Sequence, residues 1–435
     1  MSINHSKIHQ SKYVTDVSCI LNGKTISLGR NSIADLSVEK EFDKSFMPLL
    51  RILFLLPVHV QHLMLSELEN IDFRVKFMRV HEINDTTNEK FVDQDSIVVF
   101  DEIFTPFALD YTIDPNIELG KYNLADEIMK IQSLESIHNN QDVTMFFELY
   151  FFNKKHLIAS KKVFNFVANR TEPKNAMAYM INQSNIDKVL MSRPMNSPVY
   201  NQIIVPPDTL KNSIELLDTQ YGLYEYGIRQ FLDFDTYYIL ENKIEDMPIR
   251  KNEYNNVFVE VLNPEDMTHT QIGSYNDDSK KIHQIVCFNS VFIQNNKPLI
   301  NELSGNNLRI YNRSRLQKSL TVDSGGNFEV GDIYEDVKVD EESNNSKISY
   351  IYNPTGAVNA TKSEVQLKRQ SLVMFSMMFE NIDITLFTPN RRFLFNFLSI
   401  EHAKEYNGSY MLSDMSYVTS TADRGIKVFC SFKKA

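Results

Sequence analysis

Phe73-Arg-Val-Lys-Phe77 places apolar and charged side chains in strict alternation, and the apolar Met78 follows. Phe73, Val75 and Phe77 fall on one side of an extended segment, Arg74 and Lys76 on the other. That period of two belongs to a β-strand with one face buried. The same reading extends to both sides. Upstream, Leu49 to Leu56 is a nearly continuous apolar strand, expected to be buried, and Ile33 to Lys40 is another strand. Val14 to Leu21 runs into Asn22-Gly23, a hairpin turn signal, and Ile26 and Leu28 resume beyond it. Downstream, Ser96 to Phe100, Val143 to Phe152 and Leu157 to Val167 read as strands, the last two joined by Asn153-Lys154-Lys155. The polar stretch 118–140 has helical spacing at Leu124, Ile128, Ile131 and Leu134 and reads as a short helix or loop insertion.

The middle of the chain changes character. Ala176 to Val189 is helical in spacing, and Ser192-Arg-Pro and Ser197-Pro interrupt it. Two prolines precede Asp208, a candidate N-cap or first-turn acid. Leu210, Ile214, Leu217 and Tyr221 then form one apolar helix face, closed by Gly222 as the C′ residue. Phe231 to Leu240 reads as a strand. Beyond 255 the pattern returns to strands, with Val257, Val259 and Val261 on one face and Ile282 to Ile293 as a second run. The segment 321–362 is polar and acidic, a candidate long, mobile loop. Strands are expected again at Leu372–Phe379, Asp383–Phe387, Arg391–Leu398 and Ile426–Phe432. The fold class is therefore β-rich (α+β), with 1–169 and 255–435 as β-domains and 170–254 as a mixed α/β connection.

Composition narrows the function. The 435 residues exceed one ordinary core, so two to four domains are expected. Only 13 are Gly, which leaves few places for backbone to approach a phosphate closely and disfavours nucleotide chemistry. A net charge of −11 without a Lys/Arg stripe disfavours nucleic acid as a general partner. The 3 cysteines, Cys19, Cys287 and Cys430, are far apart, which fits synthesis in a reducing cytoplasm and no thiolate zinc site. The N-terminal stretch is polar, no apolar run reaches ~18 residues, and no membrane insertion is expected.

Candidate chemistry is sparse. His59 and His62 are spaced by three with Asp72 later, and His5 and His9 by four; neither pair has further ligands in view. Asp93/Asp95, Asp277-Asp278 and Asp233/Asp235 are carboxylate pairs. The last would share one face of a strand, which suits an exposed edge or an interface better than the opposed acids of a glycosidase. Ser324-Gly325-Gly326 lacks the lysine of a phosphate-binding loop. The sequence thus assigns no catalytic, cofactor or metal residue.

Four stretches carry a family resemblance. Val17-Ser-Cys-Ile-Leu-Asn-Gly-Lys24 and Leu36-Ser-Val-Glu-Lys-Glu-Phe-Asp43 lead into Pro48-Leu-Leu-Arg-Ile-Leu-Phe-Leu-Leu-Pro57. The phrase from Ile203 to Tyr224 is a helix ending in Tyr221-Gly-Leu-Tyr224. Phe231-Leu-Asp-Phe-Asp-Thr-Tyr-Tyr238 is the third, and Tyr406-Asn-Gly-Ser-Tyr-Met-Leu-Ser413 with Ile426-Lys-Val-Phe429 the fourth. Together they resemble the central baseplate hub proteins of contractile-tailed bacteriophages. The acidic segment 321–362 has no place on that pattern.

The resemblance implies a virion structural protein, not an enzyme. It implies two tube-like β-barrel domains per chain, a homotrimer forming a pseudo-hexameric ring, and a role adapting the sixfold tail tube above to the threefold central spike below. Wedge or tape-measure proteins would be further neighbours, and DNA would pass only as cargo through a lumen whose negative charge repels it. Subunit contacts would then fall on the outer faces of 49–56, 143–152 and 372–379. Another tail or baseplate adaptor (wedge, sheath or tube initiator), a cell-wall hydrolase using Asp233/Asp235, and a protein stapled by metal at His59 and His62 remain alternatives.

Overall fold

The structure is a computed structural model. It describes residues 11–81, 96–108, 124–133, 144–194, 198–224, 227–242, 256–261, 374–397, 404, 406–420 and 425–434, with the backbone of further strands between 273 and 351. The chain begins β1 (Ser11–Leu21), β2 (Lys24–Leu28), β3 (Ile33–Glu41), β4 (Leu49–Pro57), α1 (Val58–Ser66), β5 (Ile71–His81), β6 (Ile97–Phe107), α2 (Leu124–Ser133) and β7 (Thr144–Asn153). It continues through α3 (Lys154–Ser160), β8 (Val163–Thr171), α4 (Pro173–Gln183), β9 (Val189–Met191), β10 (Tyr200–Thr209), α5 (Leu210–Tyr221), β11 (Ile228–Leu232) and β12 (Tyr237–Glu241). The last part holds β13 (Asn256–Val261), β14 (Gly273–Asp277), β15 (Ile282–Cys287), β16 (Val291–Gln294), β17 (Leu308–Asn312), β18 (Leu320–Val322), β19 (Phe328–Val330), β20 (Lys347–Ile351), β21 (Met374–Glu380), β22 (Arg392–Phe397), β23 (Gly408–Ser420) and β24 (Ile426–Lys434).

One large sheet joins the beginning and the end of the chain. Its order is β14-β15-β13-β22-β23-β3-β4-β7-β6-β5-β1-β2, with β24, β21 and β16 branching from β23. The seam is β23. It pairs with β22 through Gly408–Met411, then with β3 from Asp414 to Ser420, and with β24 along most of its length. A register shift between Leu412 and Asp414 marks the change of partner. Burial follows the pleat: Leu50, Ile52, Phe54 and Leu56 are inside, and the side chains between them are half-exposed. The expected buried strand at 49–56 is therefore buried on one face only.

One hydrophobic core runs under this sheet from Tyr13 to Phe432, with Phe54, Phe73, Phe77, Phe151, Phe375 and Phe395 among its largest members. A second core is built by α3, α4, α5 and β8–β12, around Met180, Ile203, Ile214, Leu217, Tyr224 and Tyr237. The sequence boundary at 169 falls inside β8, whose partner is β10 in this second layer. Phe46 and Met47, from the loop after β3, pack into it.

Local signals explain most elements. Asn22 (φ 49°) and Gly23 (φ 77°) turn β1 into β2 with two positive φ angles, the twist a two-residue hairpin needs. Gly222 (φ 67°) ends α5 in the left-handed region. Several expectations are corrected. Lys154–Ser160 is a helix, because the Asn153 side chain accepts hydrogen bonds from the Lys155 and His156 amides and caps it; the following strand begins at Val163. Ile384–Leu386 is a 3-10 turn, not a strand, capped by the Asp383 carboxylate through Thr385 N. The Phe231–Leu240 run is two strands, since Asp233 and Thr236 exchange backbone hydrogen bonds and reverse the chain. Asp208 precedes the N-cap, Thr209, and accepts from the Thr209 amide and Asn212. Helix α1 had no sequence signal. The acidic segment 321–362 includes β19, β20 and the end of β18; its remainder lies outside the described residues.

Candidate assembly interface

The register shift in β23 creates a buried ionic junction. There the Leu412 carbonyl accepts from the Arg229 guanidinium. The next residue, Ser413, donates its hydroxyl to Asp43 Oδ2 at 2.8 Å, while its carbonyl accepts from Phe42 N. Asp43 also receives Arg229 Nε at 2.7 Å and Lys433 Nζ at 2.9 Å. Burial pushes the Asp43 carboxyl up, but Arg229 and then Lys433 outweigh it and hold it at about 2. Burial, reinforced by Arg229, pulls the Lys433 ammonium down to about 8. One carboxylate thus ties the loop after β3 to the hairpin β11–β12 and to β24. A second buried pair, Lys40 Nζ to Asp233 Oδ1 at 2.8 Å, sits nearby, with the lysine 4.8 Å above the Phe234 ring.

The expected placement of Asp233 and Asp235 on one strand face is corrected, because both lie in the turn between β11 and β12. Asp233 is held by Lys40, whereas Asp235 lies in the exposed part of the turn and meets Lys188 Nζ at 3.0 Å. The two acids therefore meet different lysines rather than sharing one strand face. His156, at the start of α3, is buried near Asp233; burial drops its imidazole to about 4, with Asp233 pulling the other way and Lys155 assisting the drop. His59 and His62 both lie on α1. His59 Nε2 is 3.2 Å from Glu127 of α2, so it joins two helices. Asp72 is on β5, bound by Lys154 Nζ at 2.5 Å and by the Thr105 hydroxyl. Among the described residues no three His, Cys, Asp or Glu side chains gather as metal ligands. His5, His9, Asp93, Asp95, Asp278 and Ser324–Gly326 lie outside the described residues, and only the backbone of Asp277 is described.

Of the expected contact strands, β4 and β7 are neighbours and share an outer face with β6, whereas β21 pairs with β16 and β24 elsewhere in the sheet. On the shared face Leu53 pairs across with Glu148, Leu55 with Phe146 and Arg51 with Tyr150. Phe107 stacks on Phe152 at 5.0 Å between ring centres. Arg51 reaches three partners on this face: Ser37, Glu148 at 2.9 Å and Asp35 at 3.5 Å. Burial, offset by Arg51 and reinforced by Glu148, raises the Asp35 carboxyl. Arg229, Asp43 and Lys433 had no sequence signal, because long-range charge pairs have no period.

No helix among the described residues is long and apolar enough to cross a membrane. Comparison with known proteins gives the following. No curated protein matches the sequence. A tail protein from Neisseria meningitidis MC58 superposes with a TM-score of 0.51 at 9% identity, covering 97% of this chain and 96% of that one. The 43 kDa tail protein of prophage MuSo2 from Shewanella oneidensis gives 0.47 at 8% identity, covering 96% and 97%. The first likeness shows a shared fold. The profile of the bacteriophage PBS1 gene 109 protein family matches residues 3–430. With nearly its whole length inside that profile, the chain belongs to the bacteriophage PBS1 gene 109 protein family.

Proposed function

We propose that this protein is a non-enzymatic structural component of a phage tail baseplate, and within it the trimeric central hub. The observation that carries the reading is the partly exposed apolar face of β4, β7 and β6, with Leu53, Leu55, Phe146, Phe107 and Phe152, on neighbouring strands of the large sheet. Apolar side chains held in register over neighbouring strands suit subunit contact. Family membership and the tail-protein fold support the same reading. In it, 1–169 and 255–435 supply two tube-like β-barrel domains per chain, with β8 drawn by its pairing into the connecting part, 170–254. Three copies form a ring that meets the sixfold tail tube on one side and the threefold spike on the other, and DNA passes through its lumen. The protein is made in the host cytoplasm and resides in the virion. The test is the mass of the purified protein over a range of concentrations, with images of assembled tails. Three copies on the tail axis are expected; copies at the baseplate periphery would favour a wedge or sheath initiator instead.

A further inference from the structure

A ring of three identical subunits needs two different surfaces on each copy, one to give and one to receive, because a threefold contact is heterologous. Two such surfaces stand on the chain. The first is the outer face of the two-stranded sheet β8–β10. Val163, Val167 and Ile204 are 60%, 54% and 54% exposed, and Val167 and Ile204 are direct cross-strand neighbours. Lys161 and Arg170 are exposed just before and near the end of β8. In a chain of net charge −11, residues 161–193 carry six lysines and arginines against Glu172 and Asp187.

The second surface is a groove of about 470 Å³ across β3, β23, β24 and β21. Its apolar lining includes the accessible Met378 and Phe429, the latter 46% exposed, above buried Met377, Met415 and Cys430; the cation lining it, Lys40, is buried and paired with Asp233. Its rim is acidic: Glu39 and Glu41 from β3 and Asp414 from β23. Burial raises the Asp414 carboxyl, and Asp43 adds to the rise, so a cation brought to this groove would be stabilising. The groove continues onto β21, one of the strands whose outer face the hub reading assigns to subunit contact.

We infer that the β8–β10 face of one copy docks head to tail into the acidic groove of a second copy, with Val163, Val167 and Ile204 against Phe429 and with Lys161 and Arg170 against Glu39 and Glu41. The inference rests on the hub reading and names the contact that would close the ring. Opposite charge at the two rims sets orientation and rejects the symmetric face-to-face dimer, which would bring like charges together.

The experiment uses the full chain in sedimentation at several concentrations. Lys161→Glu with Arg170→Glu is expected to raise the concentration of half-assembly by at least about tenfold, as is Glu39→Lys with Glu41→Lys. All four side chains are exposed, so the fold is retained. The chain carrying all four substitutions restores complementarity and is expected to assemble again. In a separate chain, Val167→Cys with Phe429→Cys is expected to yield covalent dimers and trimers on oxidation. Trimers that ignore both charge reversals and give no such cross-link would overturn this contact and leave the hub reading standing. A parent chain that stays monomeric, alone and in assembled tails, would overturn the hub reading itself.

Discussion

Lys433 Nζ lies 2.9 Å from Asp43 Oδ2, joining the final strand of the large sheet to the loop that follows β3. The same carboxylate holds Arg229 of the hairpin β11–β12. Three parts of the chain therefore meet at one buried negative charge. An ion pair in that position contributes little net stability compared with packed apolar groups, because desolvation offsets the attraction. What it does provide is position. Arg229 reaches Asp43 and the Leu412 carbonyl only with the hairpin β11–β12 lying against β23, so the junction ties the β8–β12 layer to the large sheet.

Removing the shared carboxylate is therefore expected to be severe. Asp43→Asn leaves Arg229 and Lys433 buried side by side with only the more distant Asp414 carboxyl to offset them, a loss of roughly 3–5 kcal/mol. Lys433→Met is expected to cost less, since it also removes the repulsion of Arg229 and leaves Asp43 paired. Urea unfolding followed by far-ultraviolet circular dichroism ranks the two. Equal losses would mean that the junction does not act through Asp43.

Acid is expected to weaken the fold in two steps. His156 sits at about 4 in the fold, below its ordinary 6.5, so the unfolded chain takes up its proton first. Stability from this group is complete above 6.5 and falls by about 3 kcal/mol as the pH drops to 4. Asp43 sits at about 2 rather than 3.8, and its share, about 2 kcal/mol, is lost below 3.8. His156→Leu is expected to flatten the first step and leave the second. Unfolding free energies measured between pH 7 and 4 would contradict this if the parent and the variant declined in parallel.

Helix α5 offers a backbone test. Gly222, at φ 67°, donates its amide to the Asp218 carbonyl at 2.8 Å, and the Asp218 carboxylate accepts from the Tyr224 amide. Gly222→Ala puts a Cβ in the left-handed region and is expected to lower stability by about 1 kcal/mol. The midpoint of thermal unfolding reads this directly.

What could be read from the sequence divides along physical lines. Period-two runs such as Phe73–Phe77 and Val257–Val261 state a strand and its buried face, and they do so correctly. Asn22-Gly23 and Gly222 are legible because only certain residues accept positive φ cheaply. Lys154–Ser160 is a helix where the pattern predicts strand, because one capping side chain, Asn153, overrides the apolar continuity of Leu157 onward. The pattern predicts one strand face for Asp233 and Asp235, whereas the turn that contains them is closed by backbone hydrogen bonds, which leave no mark on residue type. The pairing of β23 with β3 and the Asp43 junction link distant segments, and nothing local in either segment announces the other.

Two adjacent phenylalanines separate folding from assembly. Phe151 points inward, fully buried, its ring centre 5.2 Å from Phe73 and 6.4 Å from Phe54. Phe152 points outward, half-exposed, and stacks on Phe107. Phe151→Ala opens a void in the shared core and is expected to cost about 3–5 kcal/mol. Phe152→Ala leaves the core intact and is expected to change stability by less than about 1 kcal/mol. If the outer face meets a neighbouring subunit, Phe152→Ala shifts assembly to higher concentration while its unfolding curve matches that of the parent. Phe151→Ala does the reverse at temperatures where it is still folded. Unfolding and sedimentation measured on the same two samples distinguish these outcomes. A Phe152→Ala chain that assembles as readily as the parent would remove this face from the interface.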